Sequence, residues 1–93
     1  VKRKLLPSPS FLRAARRTLK KQPQAAAVIQ GTLELLSEDA FHPQLRTHKL
    51  KGKLEGSWAC SAGYDLRILF SFVQLEDTEA LLLESIGTHE EVY

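Results

Sequence analysis

Two stretches of the sequence concentrate the side chains able to do chemistry. Residues 48–70 read HKLKGKLEGSWACSAGYDLRILF, and residues 87–93 read GTHEEVY. Among their side chains are two imidazoles (His48, His89), a guanidinium (Arg67), a carboxylate (Asp65), a phenol (Tyr93) and three ammonium groups (Lys49, Lys51, Lys53). Such a set can hold and cut a phosphodiester. Cutting RNA with no metal requires a base for the 2′-hydroxyl, positive charge beside the phosphorane oxygens and an acid for the leaving 5′-oxygen. Histidine suits either proton-transfer role because its ordinary pKa is about 6.5. Arginine stays cationic and grips phosphate through two N–H groups. In this scheme His48 or Asp65 takes the proton, Arg67 stabilises the transition state and His89 protonates the leaving group. Lys49, Lys51 and Lys53, with Arg46 nearby, hold the backbone, and Tyr93 stacks on a base or assists proton transfer.

Other polar residues have simpler readings. Asp65 also suits a turn, where aspartate bonds its own backbone. His42 precedes Pro43 in a polar connector, Trp58 fits the core or cover of a sheet, and Cys60 fits a small buried residue.

The elements that position these groups can be read from periodicity. Val1 to Leu6 reads as an edge strand protected by lysines. Ser8 followed by Pro9 is a helix start, and Phe11, Leu12, Ala15 and Leu19 recur at helical spacing with arginines and lysines opposite. Gln22 and Pro23 break that helix. A second helix carries Ala25, Val28, Ile29, Thr32, Leu33 and Leu36 on one stripe, so the pair reads as an antiparallel helical hairpin. Beyond the connector of residues 37–45 the pattern becomes alternating. Strands are expected at Trp58 to Ala62, Leu66 to Val73 and Ala80 to Ile86, with turns at Gly63 to Asp65 and Glu76 to Thr78. The expected fold class is α+β, an N-terminal helical hairpin packed on a small antiparallel sheet. Alternation puts Leu66, Ile68, Phe70 and Phe72 toward the helices and Arg67 on the open face. Pairing about Asp77 brings Ile86 and Gly87 opposite Leu66 and Arg67, with His89 just beyond.

Composition bounds the setting. The 93 residues make one domain, 1–93, and a chain of that size buries about 60 to 65% of its unfolded surface. A hydrophobic share of 43% and a charged share of 26% fit a soluble globular protein. No apolar run nears the roughly 18 residues of a membrane span, and no secretory signal is visible. A single Cys60 forms no internal disulfide, and no zinc-site spacing occurs, so a reducing cytoplasm with neither metal nor cofactor is expected. The net charge of +2 conceals a gradient: residues 1–33 hold Lys2, Arg3, Lys4, Arg13, Arg16, Arg17, Lys20 and Lys21 and no acid. Residues 68–93 hold six acids and neither Lys nor Arg. The basic zones fit a polyanion, an acidic protein partner or both.

Through HKLKG, GYDLRILF and IGTHEEVY the chain resembles the RelE/ParE superfamily of bacterial toxins, most of all its YafQ branch. The resemblance covers nearly the whole chain. It implies a toxin of a type II toxin–antitoxin system, a ribosome-dependent mRNA endoribonuclease neutralised by a cognate antitoxin. The toxin is expected to be monomeric when free and hetero-oligomeric with its antitoxin. Position by position, His48 matches the histidine of the HxLxG element, Asp65 the acid before the central strand, His89 the histidine of GTH and Tyr93 the terminal aromatic. Arg67 is similar to the arginine of the RelE strand motif, displaced by two residues. Ser61 and Ser85 stand where the YafQ pattern has a histidine and an arginine. Two other functions stay open: a ParE-like inhibitor of DNA gyrase, which shares the fold and needs no paired histidines, and a noncatalytic RNA-binding or degenerate toxin homologue.

Overall fold

Ser8 and Pro9 open the first helix. In the computed structural model, which describes residues 2–93, Ser8 Oγ accepts the Phe11 N–H at 3.1 Å and Pro9 takes the first helical position. Helix α1 (Pro9–Lys21) buries Phe11, Ala14 and Thr18 and turns Arg13, Arg16, Arg17, Lys20 and Lys21 to solvent. After a 3₁₀ turn at Pro23–Ala25, α2 (Ala26–Glu38) buries Ile29 and Leu36. Leu12 and Val28, both assigned to apolar stripes, remain exposed at the stripe margins.

The strands are β1 (Lys4–Pro7), β2 (His48–Lys49), β3 (Trp58–Ala62), β4 (Leu66–Leu75) and β5 (Thr78–Thr88), with a short helix α3 (His89–Val92) at the end. They form one five-stranded sheet in the order β1-β5-β4-β3-β2. The antiparallel meander of β3, β4 and β5 is as expected. The wider architecture is not. The expected edge strand is present as β1, ahead of the helices, so the fold does not open on a helical hairpin; β1 joins β5 in parallel, from Lys4 opposite Ala80 to Pro7 opposite Leu83, which makes the sheet mixed. The long β5 would otherwise present a row of unpaired backbone groups along its outer edge. Ser37 secures the arrangement, because its carbonyl accepts the Arg3 N–H at 2.8 Å and its hydroxyl donates to the Arg3 carbonyl at 2.6 Å. Val1, part of the expected first strand, lies outside the described residues.

The helices pack chiefly on the sheet, α1 on β5 and α2 toward β3. Between them lie Cys60, Ile68, Phe70, Leu81, Leu83 and Ile86, all buried. Trp58 extends this layer, 5.5 Å from Phe41 and 5.3 Å from Phe72 in edge-on contacts. Among the described residues no helix is long and apolar enough to cross a membrane.

One irregularity sets the register of the functional end. Leu69 pairs with Ser85 but Phe70 pairs with Leu83, which leaves Glu84 as an extra residue in β5. An unbroken hairpin from the Leu75 and Thr78 pair would set Ile86 beside Arg67 and Gly87 beside Leu66. The bulge shifts this by one, so Arg67 faces Gly87, Leu66 faces Thr88 and Ile86 faces Ile68. A one-residue shift exchanges faces. Ile86 therefore enters the core, and Glu84 is free to accept the Ser57 hydroxyl at 2.7 Å.

Candidate active site

Arg67 sits near the start of β4 with Ser61 of β3 on one side and Gly87 of β5 on the other. Both neighbours are small, so the guanidinium has room to lie along the open face of the sheet. It is half-buried, and its Nη1 donates to the Leu66 carbonyl at 2.9 Å and the Tyr64 carbonyl at 3.4 Å. Those are its hydrogen bonds among the described residues, so its other N–H groups remain for an anion. The turn it braces, residues 63–65, begins with Gly63 at φ 73°, a left-handed conformation that suits glycine. A β-carbon there would also meet Val28 Cγ1 at 3.1 Å.

A cleft of about 800 Å³ opens at this end of the sheet. Arg67, Asp65 and Arg46 line it together with His89 and Glu90 from α3. Ser61, Gly63, Tyr64, Thr88 and Gln44 complete the walls. Four side chains singled out in the sequence thus share one cavity, supplied by the loop before β2, the β3–β4 turn, β4 and α3.

Helix α3 is held by a capping box. Thr88 Oγ1 accepts the Glu91 N–H at 3.3 Å, and Glu91 Oε1 accepts the Thr88 N–H at 2.8 Å. Glu91 Oε2 also takes Lys21 of α1 at 3.2 Å. The Thr88 N–H, and then Lys21, hold the Glu91 carboxyl below its ordinary pKa. The T-x-x-E spacing that builds this box is a readable sequence signal that the functional reading passed over. Gly87 is buried beneath the helix: a β-carbon on it would come within 2.9 Å of Glu91 Oε1 and 3.3 Å of Val92 Cγ1. Tyr93 packs edge-on against the His89 ring, 4.5 Å between centroids. Burial raises the Tyr93 phenol above its ordinary pKa, and the Arg67 guanidinium only partly offsets this. A phenol so placed stays protonated, with its ring edge-on to the imidazole.

The remaining sequence candidates lie elsewhere. His48 is on edge strand β2 opposite Ala59, hence on the same sheet face as Arg67 but outside the cleft lining. Its Nδ1 lies 2.9 Å from the Arg46 carbonyl, which accepts its proton and leaves Nε2 free. The three lysines grouped in the sequence do not form one track. Strand β2 ends at Lys49, which faces the helix side and sits 5.5 Å over the Trp58 ring, while Lys51 and Lys53 belong to the following loop. Left-handed Gly52 (φ 68°) and Gly56 (φ 96°) curl that loop out of strand geometry. His42 Nδ1 accepts the Gln44 N–H at 3.1 Å and is a turn cap. Cys60 is fully buried, and burial pushes its thiol up to about 12, so it remains neutral. Among the described residues no cluster of three His, Cys, Asp or Glu could hold a metal ion.

The same arrangement of elements occurs in solved structures. YafQ from E. coli strain BL21(DE3) superposes with a TM-score of 0.76 at 17% identity, covering 99% of each chain. A YoeB/ParE toxin from Agrobacterium tumefaciens gives a TM-score of 0.74 at 15% identity over 92% of this chain and 98% of that one. The E. coli DinJ-YafQ toxin-antitoxin complex gives 0.74 at 18% identity over 100% of this chain and 99% of the matched one. Comparison with curated protein sequences returns no match. The fold is that of the RelE/ParE-type toxins. A sequence profile described as the bacterial toxin of type II toxin-antitoxin systems, YafQ, matches residues 3–93, and the chain belongs to that family.

Proposed function

We propose that this toxin cuts messenger RNA on the ribosome by attack of a 2′-hydroxyl on the adjacent phosphate. The observation that carries this reading is the convergence of Arg67, Asp65 and His89 on one cleft. Asp65 accepts the 2′-hydroxyl proton as the 2′-oxygen bonds to phosphorus. Arg67 neutralises the phosphorane oxygens through the N–H groups it does not spend on the turn. Protonated His89, oriented by Tyr93, gives its proton to the departing 5′-oxygen. The products are a 2′,3′-cyclic phosphate and a 5′-hydroxyl. His48 contacts the message beyond the scissile phosphate through its free Nε2, and Arg46, Lys51 and Lys53 add positive charge for the backbone. Lys49, on the other side of the edge, contributes from the rim.

The partners on this reading are the ribosome, its mRNA and a cognate antitoxin. The exposed basic face of α1 fits an acidic antitoxin segment, and the E. coli YafQ relative is known in complex with its antitoxin DinJ. The test is cleavage of a defined message on programmed ribosomes, with gyrase supercoiling assayed in parallel. We expect cuts ending in cyclic phosphate, unaffected gyrase, and a loss of about 10² to 10⁴ in rate for His89→Gln with ribosome docking retained. Intact message, blocked gyrase, or full activity in a folded His89→Gln variant would sink the proposal.

A further inference from the structure

Tyr64 stands apart from every other exposed aromatic side chain of the protein. Phe41 stacks on Phe72 and meets Trp58 edge-on, and Tyr93 packs against His89. Tyr64 is 98% exposed and has no aromatic or cationic partner on its ring among the described residues. Its backbone is nevertheless fixed. Arg67 bonds to its carbonyl, Gly63 before it is backed by Val28, and the residue lines the same cleft as Arg67 and His89. A flat ring with both faces free thus stands at the rim of a cleft that carries Arg46 and Arg67. No packing role explains it, since its removal would uncover no core.

From this juxtaposition we infer that Tyr64 is the platform on which one base of the message stacks beside the scissile phosphate. The inference rests on the endoribonuclease reading and deepens it by naming a residue that selects and holds the substrate. Single-stranded RNA is gripped by its phosphates through cations and by its bases through aromatic faces. Arg67 supplies the first and Tyr64, three residues earlier across the same turn, the second. Because Arg67 ties itself to the turn, a base seated on Tyr64 brings its own phosphate within the reach of the guanidinium. Stacking tolerates any base but favours large ones, so the platform biases the cut site without reading hydrogen bonds.

The experiment is cleavage on ribosomes programmed with a synthetic message in which one abasic nucleotide is moved through the codon and its neighbours. Tyr64→Ala should lower kcat/KM by about 10-fold or more on the intact message, with an unchanged unfolding midpoint. Tyr64→Phe, which keeps the ring, should remain within about twofold, the stacking surface being the same. At one position only, the abasic message should slow the wild-type protein to the rate of Tyr64→Ala and leave that variant unaffected. Equal rates for Tyr64→Ala and wild type overturn the inference while leaving the nuclease reading intact. A Tyr64→Ala defect that is the same at every abasic position also overturns it, assigning the ring to ribosomal or antitoxin protein instead. Absence of cutting by the wild-type protein removes both readings together.

Discussion

The two faces of β4 obey the same alternation and are built by opposite means. On one face Ile68 and Phe70 are fully buried beneath the helices, and Phe72 joins the ring cluster with Phe41 and Trp58. On the other, Arg67 lies between Ser61 and Gly87 and opens onto the cleft. The first face is made by what is large; the second, at its Arg67 end, is made by what is small beside one large cation. Stability and chemistry should therefore separate along a single strand, and paired substitutions three residues apart test this most severely. Phe70→Ala should cost about 3 to 5 kcal/mol, since a fully buried ring leaves a cavity. A domain of this size has only about 5 to 15 kcal/mol to lose, so partial unfolding near body temperature is expected. Arg67→Ala should leave the denaturation midpoint nearly unchanged, because its hydrogen bonds stay within its own turn. Its cleavage rate on ribosomes should fall by about 10²-fold or more, as for loss of a transition-state donor. Similar stability losses in the two variants would erase the distinction between the faces.

The helix-covered face was the more legible because alternation of apolar residues reports burial directly. Leu66, Ile68 and Phe70 could be assigned from periodicity alone. The last strand resisted the same treatment. Its run Leu81, Leu82, Leu83, Glu84, Ser85, Ile86 has no clean period, and only the bulge at Glu84 explains how Leu81, Leu83 and Ile86 all reach one core. The parallel addition of β1 was equally hidden, since pairing with a strand more than 70 residues away leaves no local pattern. At the cleft, Arg67, Asp65 and His89 were legible because their types and the hairpin topology converge. The lysine track was not, because alternation of Lys49, Lys51 and Lys53 imitates a strand that Gly52 and Gly56 do not allow. Tyr64 gave no periodic signal at all; only its exposure distinguishes it from an ordinary turn residue.

If the open face is defined by smallness, adding one methyl group there should matter more than its chemistry warrants. Gly87→Ala puts a β-carbon 3.1 Å from Glu91 Cβ and 3.3 Å from Val92 Cγ1. The Glu91 carboxylate, 2.9 Å away, can swing aside, but the Cβ and Val92 contacts move only if α3 moves. Reduced freedom of the unfolded chain favours alanine by about 0.4 to 1 kcal/mol, which offsets part of the contact strain. The expected outcome is a small change in unfolding midpoint with a cleavage rate reduced roughly 10-fold, as a misplacement of the acid on the ångström scale costs up to about 10². Wild-type cleavage by Gly87→Ala would show that the fit of α3 to the sheet does not position His89.

The smallest effect belongs to Glu91, which joins the two faces by linking α3 to α1 through Lys21. Its folded-state carboxyl is held below the ordinary value, chiefly by the Thr88 N–H. A depressed carboxyl pKa means that its stabilising contribution is complete above the ordinary carboxylate range and disappears as pH falls through the folded value. The group is exposed, so the gain in global stability is slight and the consequence is local to α3. Amide exchange at Tyr93, whose N–H donates to the His89 carbonyl at 3.1 Å, reads that helix directly. After correction for intrinsic exchange, its protection should fall as pH is lowered through that range in the native chain. In Glu91→Gln it should start lower and vary little there. Raising salt should weaken the exposed Lys21 contact but leave the Thr88 hydrogen bond in place, so protection at neutral pH should drop only partly. Identical protection profiles for the two proteins would show that α3 is held by its packing over Gly87 alone.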